Sequence, residues 1–416
     1  MRPLLPATGL VLAGALLFTV LAVSAPPDPV PAAAGGPAGE TLQERLQRLP
    51  GDYHGWALLG SQYVDQARVT GDPSYYVKAE GALARAARLD PRDDTRDDTV
   101  LTGGAALAAG RHEFADAAEL AEQAIDVNPY NAAAHGVLAD ARTQLGDLPA
   151  AERAVDTMLR LRPGVAAFAR ASYAAELRGD QERARTFLEY AHDDAHTPAD
   201  LAYTRHYLGE LALHQGDLDT ADRWYVQALE AQPAYTPALA GRASVAALDG
   251  RLTEALTLYE RVVQRLPLPQ YLIEQGETRL KAGLPADWTL LRAQRTLLEE
   301  AGVRDDLTWA EFEADHGDPA RAVRHARAEH ARNPNLAAAD ALAWALFKAG
   351  RPEAALHHAK RATSTGWRNP LIHHHRATIE RALGRTPRTT PATGRDTRTT
   401  SAAGFDPDLP ALARPS

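Results

Sequence analysis

Histidine is the residue type in this chain whose clustering comes nearest to a chemical centre. Eight of the fifteen histidines lie between His316 and His375, including His357-His358 and the triplet His373-His374-His375. Zinc or copper needs three or four ligands on one centre. Consecutive helical residues point about 100° apart, so the triplet offers one or two ligands at most. The pair falls on one expected helix and the triplet on the next. Antiparallel packing about the turn near Trp367 would bring His358 and His375 within a turn of each other. These two are the candidate metal ligands, and they carry one reading of the chain, a metal- or small-ligand-binding sensor.

A second candidate is the run from Asp90 to Asp98, with carboxylates at Asp90, Asp93, Asp94, Asp97 and Asp98. That density suits calcium. Against it, Arg92 and Arg96 interleave the acids, the glycine of a calcium loop is missing, and a helix starts directly afterwards. Acids before a helix N-terminus cap it and complement its dipole, and we read the run that way. Signatures of catalysis are missing: there is no Gly-x-Ser-x-Gly, His-Glu-x-x-His, Gly-x-x-x-x-Gly-Lys or Gly-x-Gly-x-x-Gly. The chain has no cysteine, which excludes disulfides, thiol catalysis, zinc fingers and lipidated cysteines. We expect a non-enzyme without a cofactor.

The elements that carry these residues follow from a repeat between Tyr53 and Pro370. One unit reads Tyr207-Leu208-Gly209, Ala212, Ala221, Tyr225, Ala228, Pro233; the next reads Leu239, Ala243, Ala246, Ala255, Tyr259, Val262, Pro267. An earlier one reads Leu101, Gly104-Ala105, Ala108, Ala117, Ala121, Ala124, Pro129. The closing prolines Pro233 and Pro267 stand 34 residues apart. Small residues sit where two helices touch, larger apolar ones fill the gaps, and proline ends the second helix. A fixed period of this length marks a helix-turn-helix solenoid. Composition agrees: apolar residues make 45% and aromatics 6%, with alanine dominant, and alanine has the highest helix propensity. The net charge of −9 is spread along the chain rather than gathered on a basic face, which argues against nucleic acid.

The spacing resembles the tetratricopeptide repeat, most fully at Trp56, Leu59-Gly60, Tyr63, Ala79, Leu83, Ala86 and Pro91. Longer stretches, 71–91, 338–351 and 366–384, are similar to a widespread group of bacterial exported or membrane-anchored tetratricopeptide proteins. The resemblance implies an all-α, right-handed superhelical solenoid of about nine repeats over residues 41–384, binding protein or peptide partners in its concave groove. It also implies that the first helix of each repeat lines that groove. Projected onto this chain, most lining positions are small. Larger residues cluster in a middle patch, Tyr173, Glu176, Tyr203, His206 and Glu210, and at a far end, Asp340, Trp344 and Phe347. Tyrosine and tryptophan are favoured anchors because they bring large area at low entropy cost. The alternative is that these aromatics are ordinary packing between repeats. Chaperone-binding members of the family hold a carboxylate with Lys, Asn and Arg on successive first helices. The corresponding positions here, Ala57, Thr102, Gly136, Ala169, His206, Ala240, Leu307 and Asp340, lack that clamp.

The ends differ from the middle. Arg2, the apolar stretch from Leu10 to Val23 and the small residues Val23-Ser24-Ala25 describe a signal peptide or an N-terminal anchor over 1–25. As a helix, 7–25 would be about 28 Å long, nearly a bilayer core. Pro26 after the candidate cut site favours an uncleaved anchor, and either outcome puts the repeats outside the cytoplasm. Residues 26–40 are a Pro/Gly-rich linker, and Thr41 opens an amphipathic helix. Within the repeats, the fourth is stretched to Pro198, and a longer helix from Trp288 to Ala301 replaces a usual second helix. After a last first-helix at 370–383, prolines at 387 and 391 forbid a partner helix. The Thr/Pro/Arg-rich tail 385–416 is expected to be disordered, with Phe405 to Leu409 either folding back over that helix or leaving it uncovered.

Overall fold

The computed structural model describes residues 41–91, 97–387 and 405–414. The expected anchor and linker at 1–40 lie outside these residues. Among the described residues the chain is all helix, without strands.

The first element, α1 (Leu42–Arg48), begins with a reciprocal pair of hydrogen bonds between Thr41 and Glu44, a capping box that satisfies two orphan donors. Helix pairs then follow: α2 (Tyr53–Thr70) with α3 (Ser74–Leu89), α4 (Asp98–Gly110) with α5 (Phe114–Val127), and α6 (Ala132–Gln144) with α7 (Leu148–Leu161). Next come α8 (Val165–Leu177) with α9 (Gln181–Asp193), α10 (Pro198–His214) with α11 (Leu218–Ala231), and α12 (Thr236–Leu248) with α13 (Leu252–Arg265). The series ends with α14 (Pro269–Lys281) and α15 (Thr289–Glu300), α16 (Asp306–His316) and α17 (Pro319–Arg332), α18 (Leu336–Lys348) and α19 (Pro352–Ala362), and α20 (Pro370–Ala382). That makes nine pairs and a lone first helix among the described residues, an all-α helical repeat solenoid.

Local chemistry sets several of the turns. At Gly146-Asp147, Gly179-Asp180 and Gly216-Asp217 a glycine takes positive φ after the first helix. The aspartate then accepts a backbone N–H in the first turn of the second helix. Asp97 caps α4 in the same way, taking the Thr99 N–H at 2.8 Å. Asp98 accepts from Asn128 and Asn131 at 2.8 and 2.9 Å, so the described part of the acidic run is committed to helix ends.

Between repeats, small residues let large ones in. Tyr225 of α11 is fully buried between the first helix of its own repeat and the next one. A Cβ on either Gly209 or Gly241 would stand 2.5 Å from its ring. First helices of successive repeats touch one another from α2 to α20 and form the continuous inner layer of the solenoid.

Two expectations need correction. Pro198 does not close the fourth repeat; it is the first residue of α10, where its missing N–H costs nothing. The helix after Trp288 is not longer than the usual second helix: it has 12 residues, against 14 in α11 and α13 and 11 in α19. Its Leu298, with Ala301 and Val303 just beyond, packs with Ala67, Tyr76, Ala79, Leu83 and Leu107 of the first repeats.

That contact belongs to a longer seam along which the solenoid curves back on itself. Asn335 Nδ2 donates to the backbone oxygen and Oε1 of Gln144 at 3.0 and 2.9 Å. Gly179 lies so close to Gly366 that a Cβ would be 2.2 Å from the Gly366 carbonyl oxygen. Leu148 and Leu177 share a core with Leu336, Ala339, Trp367 and Ile372. A cavity of about 170 Å3 remains in the seam, lined among others by Tyr173, Arg178, Asn335 and Trp367.

The tail does not stay apart. Residues 405–414 fold back, with a 3-10 turn at Pro410–Ala413. They touch α20 through Asn369 Nδ2, which donates to the Ala413 carbonyl at 2.9 Å. Most of their buried side chains, however, join α12 to α16 instead of covering α20. Among the described residues no helix is long and apolar enough to cross a membrane.

Candidate functional site

The middle patch assembles, as packing. Tyr203 is 8% exposed and its ring lies 4.7 Å from that of Tyr207. The His206 ring is 5.0, 5.7 and 5.9 Å from Tyr207, Tyr225 and Tyr235. Burial pushes the His206 pKa down, against the pull of the Glu210 carboxylate 3.9 Å away. Tyr225 Oη donates to Glu210 at 2.5 Å, and His214 Nδ1 lies 3.3 Å from Glu176. Burial opposes the charged form of His214, but Glu176 and Glu210 outweigh it and raise its pKa. Tyr173 joins both the Tyr203 cluster and the seam core around Leu336 and Trp367. Burial raises the Tyr203 and Tyr207 hydroxyl pKa values, while Arg68, from the first repeat, acts in the opposite direction. The patch is therefore one packed cluster in which Tyr225 engages Glu210 and His214 engages Glu176, while Tyr203 Oη and His206 Nδ1 are buried without a hydrogen-bond partner.

The far end is more open. His375 Nδ1 lies 2.8 Å from Asp340 Oδ2, both side chains buried. The Trp344 ring stacks on His375 at 4.0 Å and 9°, and on Phe347 at 5.2 Å and 23°. Trp344 Nε1 donates to Asp315 Oδ1 at 2.7 Å, and Lys348 Nζ stands 5.3 Å over the indole. Trp344 and Phe347 are half-buried and Lys348 is exposed.

The two candidate metal ligands have different neighbours. His358 packs edge-on against His330 and His357, each at 5.2 Å. Burial lowers its pKa, helped by His330, His357 and Arg327. His375 is committed to Asp340 and Trp344. Among the described residues no three His, Asp or Glu side chains are grouped as a metal centre requires.

Beside the far end, the inner layer holds a protein segment. Arg414 Nη2 lies 3.2 Å from Asp315 Oδ2 and Nε lies 3.2 Å from Glu311 Oε2, with Glu277 Oε1 3.9 Å away. Glu277 also accepts the Ala411 N–H at 2.8 Å. Burial pushes the Glu311 carboxyl up to about 8 despite Arg414. Burial acts to raise Asp315 as well, but Arg414, the Trp344 N–H, His375 and Lys348 hold it below the usual carboxylate range. Burial disfavours the Arg414 charge, yet Glu311, Glu277 and Asp315 together raise its pKa. Leu409 and Leu412 enter the core of Leu239, Ala243, Tyr259 and Tyr271. Ala411 enters the core of Ile273, Trp309 and Phe312. Lys281 pairs with Asp406 and Asp408, and the Phe405 ring lies 5.1 Å from that of His374, tilted by 48°.

Glu277, Lys281, Glu311, Asp315 and Arg414 escaped the sequence reading. The repeat pattern degrades between Gln270 and Val303, which blurs the register of α14 and α16. The Pro-, Thr- and Arg-rich composition of the tail hides its last ten ordered residues. The available signal was Glu311 and Asp315 at i and i+4 on one first helix, facing inward with Trp344.

The inner layer and the helix pairs define a helical repeat protein. Sequence models of the tetratricopeptide repeat match residues 106–173 and 207–268. Those two stretches are tetratricopeptide repeats. No curated protein matches it. Among solved structures, a thermophilic tetratricopeptide protein of Thermus thermophilus is 22% identical, covering 44% of this chain and 92% of its own, with a TM-score of 0.38. The human IFIT1 dimer with m7Gppp-AAAA is 13% identical over 78% of this chain and 84% of its own, at 0.45. YrrB, described as having an unusual peptide-binding site, is 18% identical over 44% and 93%, at 0.29. At such identities and scores these likenesses carry no argument about what this chain binds.

Proposed function

We propose that the chain is an extracytoplasmic scaffold that holds protein segments against the inner layer of its solenoid, at the end formed by α14 to α20. The observation that carries this reading is the segment 405–414, a stretch of protein already seated there by apolar, hydrogen-bonding and charged contacts. Trp344 reaches it through Asp315, which accepts the indole N–H and lies 3.2 Å from Arg414. Tyrosine-rich as it is, the middle patch is a weaker receiving surface, since Tyr203 is buried and Glu210 and Glu176 are already engaged. The location rests on Arg2, the apolar stretch Leu10 to Val23 and the small residues that follow. Protein binding, rather than catalysis, suits a fold with an extended inner face.

The test is co-purification from the envelope fraction of cells making the protein, comparing the full chain with a Phe347→Ala/Lys348→Glu variant of equal helical content. A protein retained by the first and lost by the second supports the reading. Recovery of the chain only from the cytosol, or equal retention by both forms, overturns it.

A further inference from the structure

Residues 405–414 are tethered to the solenoid through the stretch after Pro387, yet they are bound as a ligand is bound. Leu409 is fully buried, Ala411 and Ala413 are 1% and 2% exposed, and Arg414 is 8% exposed. Their charged, hydrogen-bonding and ring partners include residues of three first helices: Glu277 and Lys281 of α14, Glu311 and Asp315 of α16, and His374 of α20. Two acids at one end of the segment meet a lysine. Two leucines three residues apart enter an apolar core, and an arginine at the other end enters three carboxylates. Such alternation fixes direction and register along a groove, because reversing the segment would set Asp406 and Asp408 against Glu311 and Asp315. An arginine among carboxylates is also the side chain best able to engage several acceptors from one planar fork.

We propose that 405–414 is an intramolecular occupant of a peptide-binding groove, and that in trans this groove takes a protein segment of the same chemistry: an acidic turn, two leucines three apart, then an arginine two residues on. The reading rests on the scaffold function above and names the class of partner. Tethering raises the local concentration of the cis segment to the order of millimolar, so a trans partner enters only when it binds more tightly or when the cis segment is unseated. The groove is then gated by the chain's own segment 405–414.

The test uses the full chain and a fluorescein-labelled peptide with the sequence of residues 405–416, read by anisotropy. Unseating the cis segment with Leu409→Asp/Leu412→Asp should tighten binding of the labelled peptide at least tenfold over the unaltered chain. A peptide carrying Arg414→Glu should lose that binding. As a second route that spares the core, a protease site inserted between 390 and 400 is cut after folding; the labelled peptide should then exchange into the cut chain and not into the uncut one. Equal binding by cut and uncut chains, or no binding to a cut chain that keeps its helical content, overturns the proposal. If that happens while the Phe347 and Lys348 variant still loses its envelope partner, only this inference falls and the scaffold reading stands.

Discussion

Glu274 is the clearest single-residue test of how this solenoid tolerates charge. It is 3% exposed, and its Oε2 has no hydrogen-bond partner. Burial raises its carboxyl to about 8; Gln270 and Tyr259 oppose this, while Glu210 and Glu277 add to it. The folded state therefore binds the proton more tightly than the unfolded chain does. Its contribution to stability is complete below the unfolded pKa near 4.5 and is lost as pH rises towards 8. Glu274→Gln keeps the shape and removes the titration. We expect the variant to melt several degrees higher than the unaltered chain at pH 8.5, with the difference vanishing at pH 4.5, measured by circular dichroism. A parallel pair of melting curves across that range would refute the account. Legibility was mixed at this scale. Asp97 as a cap was readable from its place before α4, whereas the pairing of Asp340 with His375 required two helices separated by 35 positions to meet.

At the scale of elements, the α14–α15 repeat shows how one large residue redirects a helix. Trp288 stands where the repeat pattern calls for a small side chain. Its ring fills the space over Gly276, where a Cβ would lie 2.1 Å from the indole. It meets Phe312 at 5.1 Å and His316 at 5.2 Å. The irregular stretch before it delays the second helix, and α15 ends against the first repeats rather than simply against α14. Gly276→Ala overpacks this contact and should cost about 1–3 kcal/mol in urea unfolding. Adding Trp288→Leu should recover part of the loss, because the two substitutions act on one contact and are non-additive. Purely additive costs would show that the crowding is relieved elsewhere. The regular helix pairs were legible here from the period, whereas the α14–α15 pair was blurred by the degraded pattern. The tilt of α15 was not, since periodicity reports which face is apolar and not which distant surface that face meets.

For the whole molecule, the seam between early and late repeats is the feature with the widest consequence. Gly179 has φ +76° and lies against the Gly366 carbonyl; Gly250 has φ +77° and nothing within 4 Å. Alanine at either position bears the same left-handed backbone strain of about 1–2 kcal/mol. Only Gly179→Ala also pushes two parts of the solenoid apart. Small-angle X-ray scattering should give a larger radius of gyration for Gly179→Ala and an unchanged one for Gly250→Ala, both with unaltered helical content. Expansion in both, or in neither, would mean that the seam does not hold the curvature.

Sequence alone determined the helix-turn-helix period, the caps and turn glycines, the alanine interfaces and the broad family, because these are local or nearest-neighbour properties of a repeat array. The middle and far-end residues were also nominated from register within the repeat. Tertiary structure decided what those residues touch: Tyr203, His206 and Glu210 became a packed cluster, while Trp344 came to rest on His375, itself paired with Asp340. It alone brought Arg414 to Glu277, Glu311 and Asp315 across 99 to 137 positions. The physical reason is that a repeat pattern specifies contacts between neighbours. Curvature accumulated over many repeats, and a tail that returns to the inner face, arise only when small rotations and distant charges are summed in three dimensions.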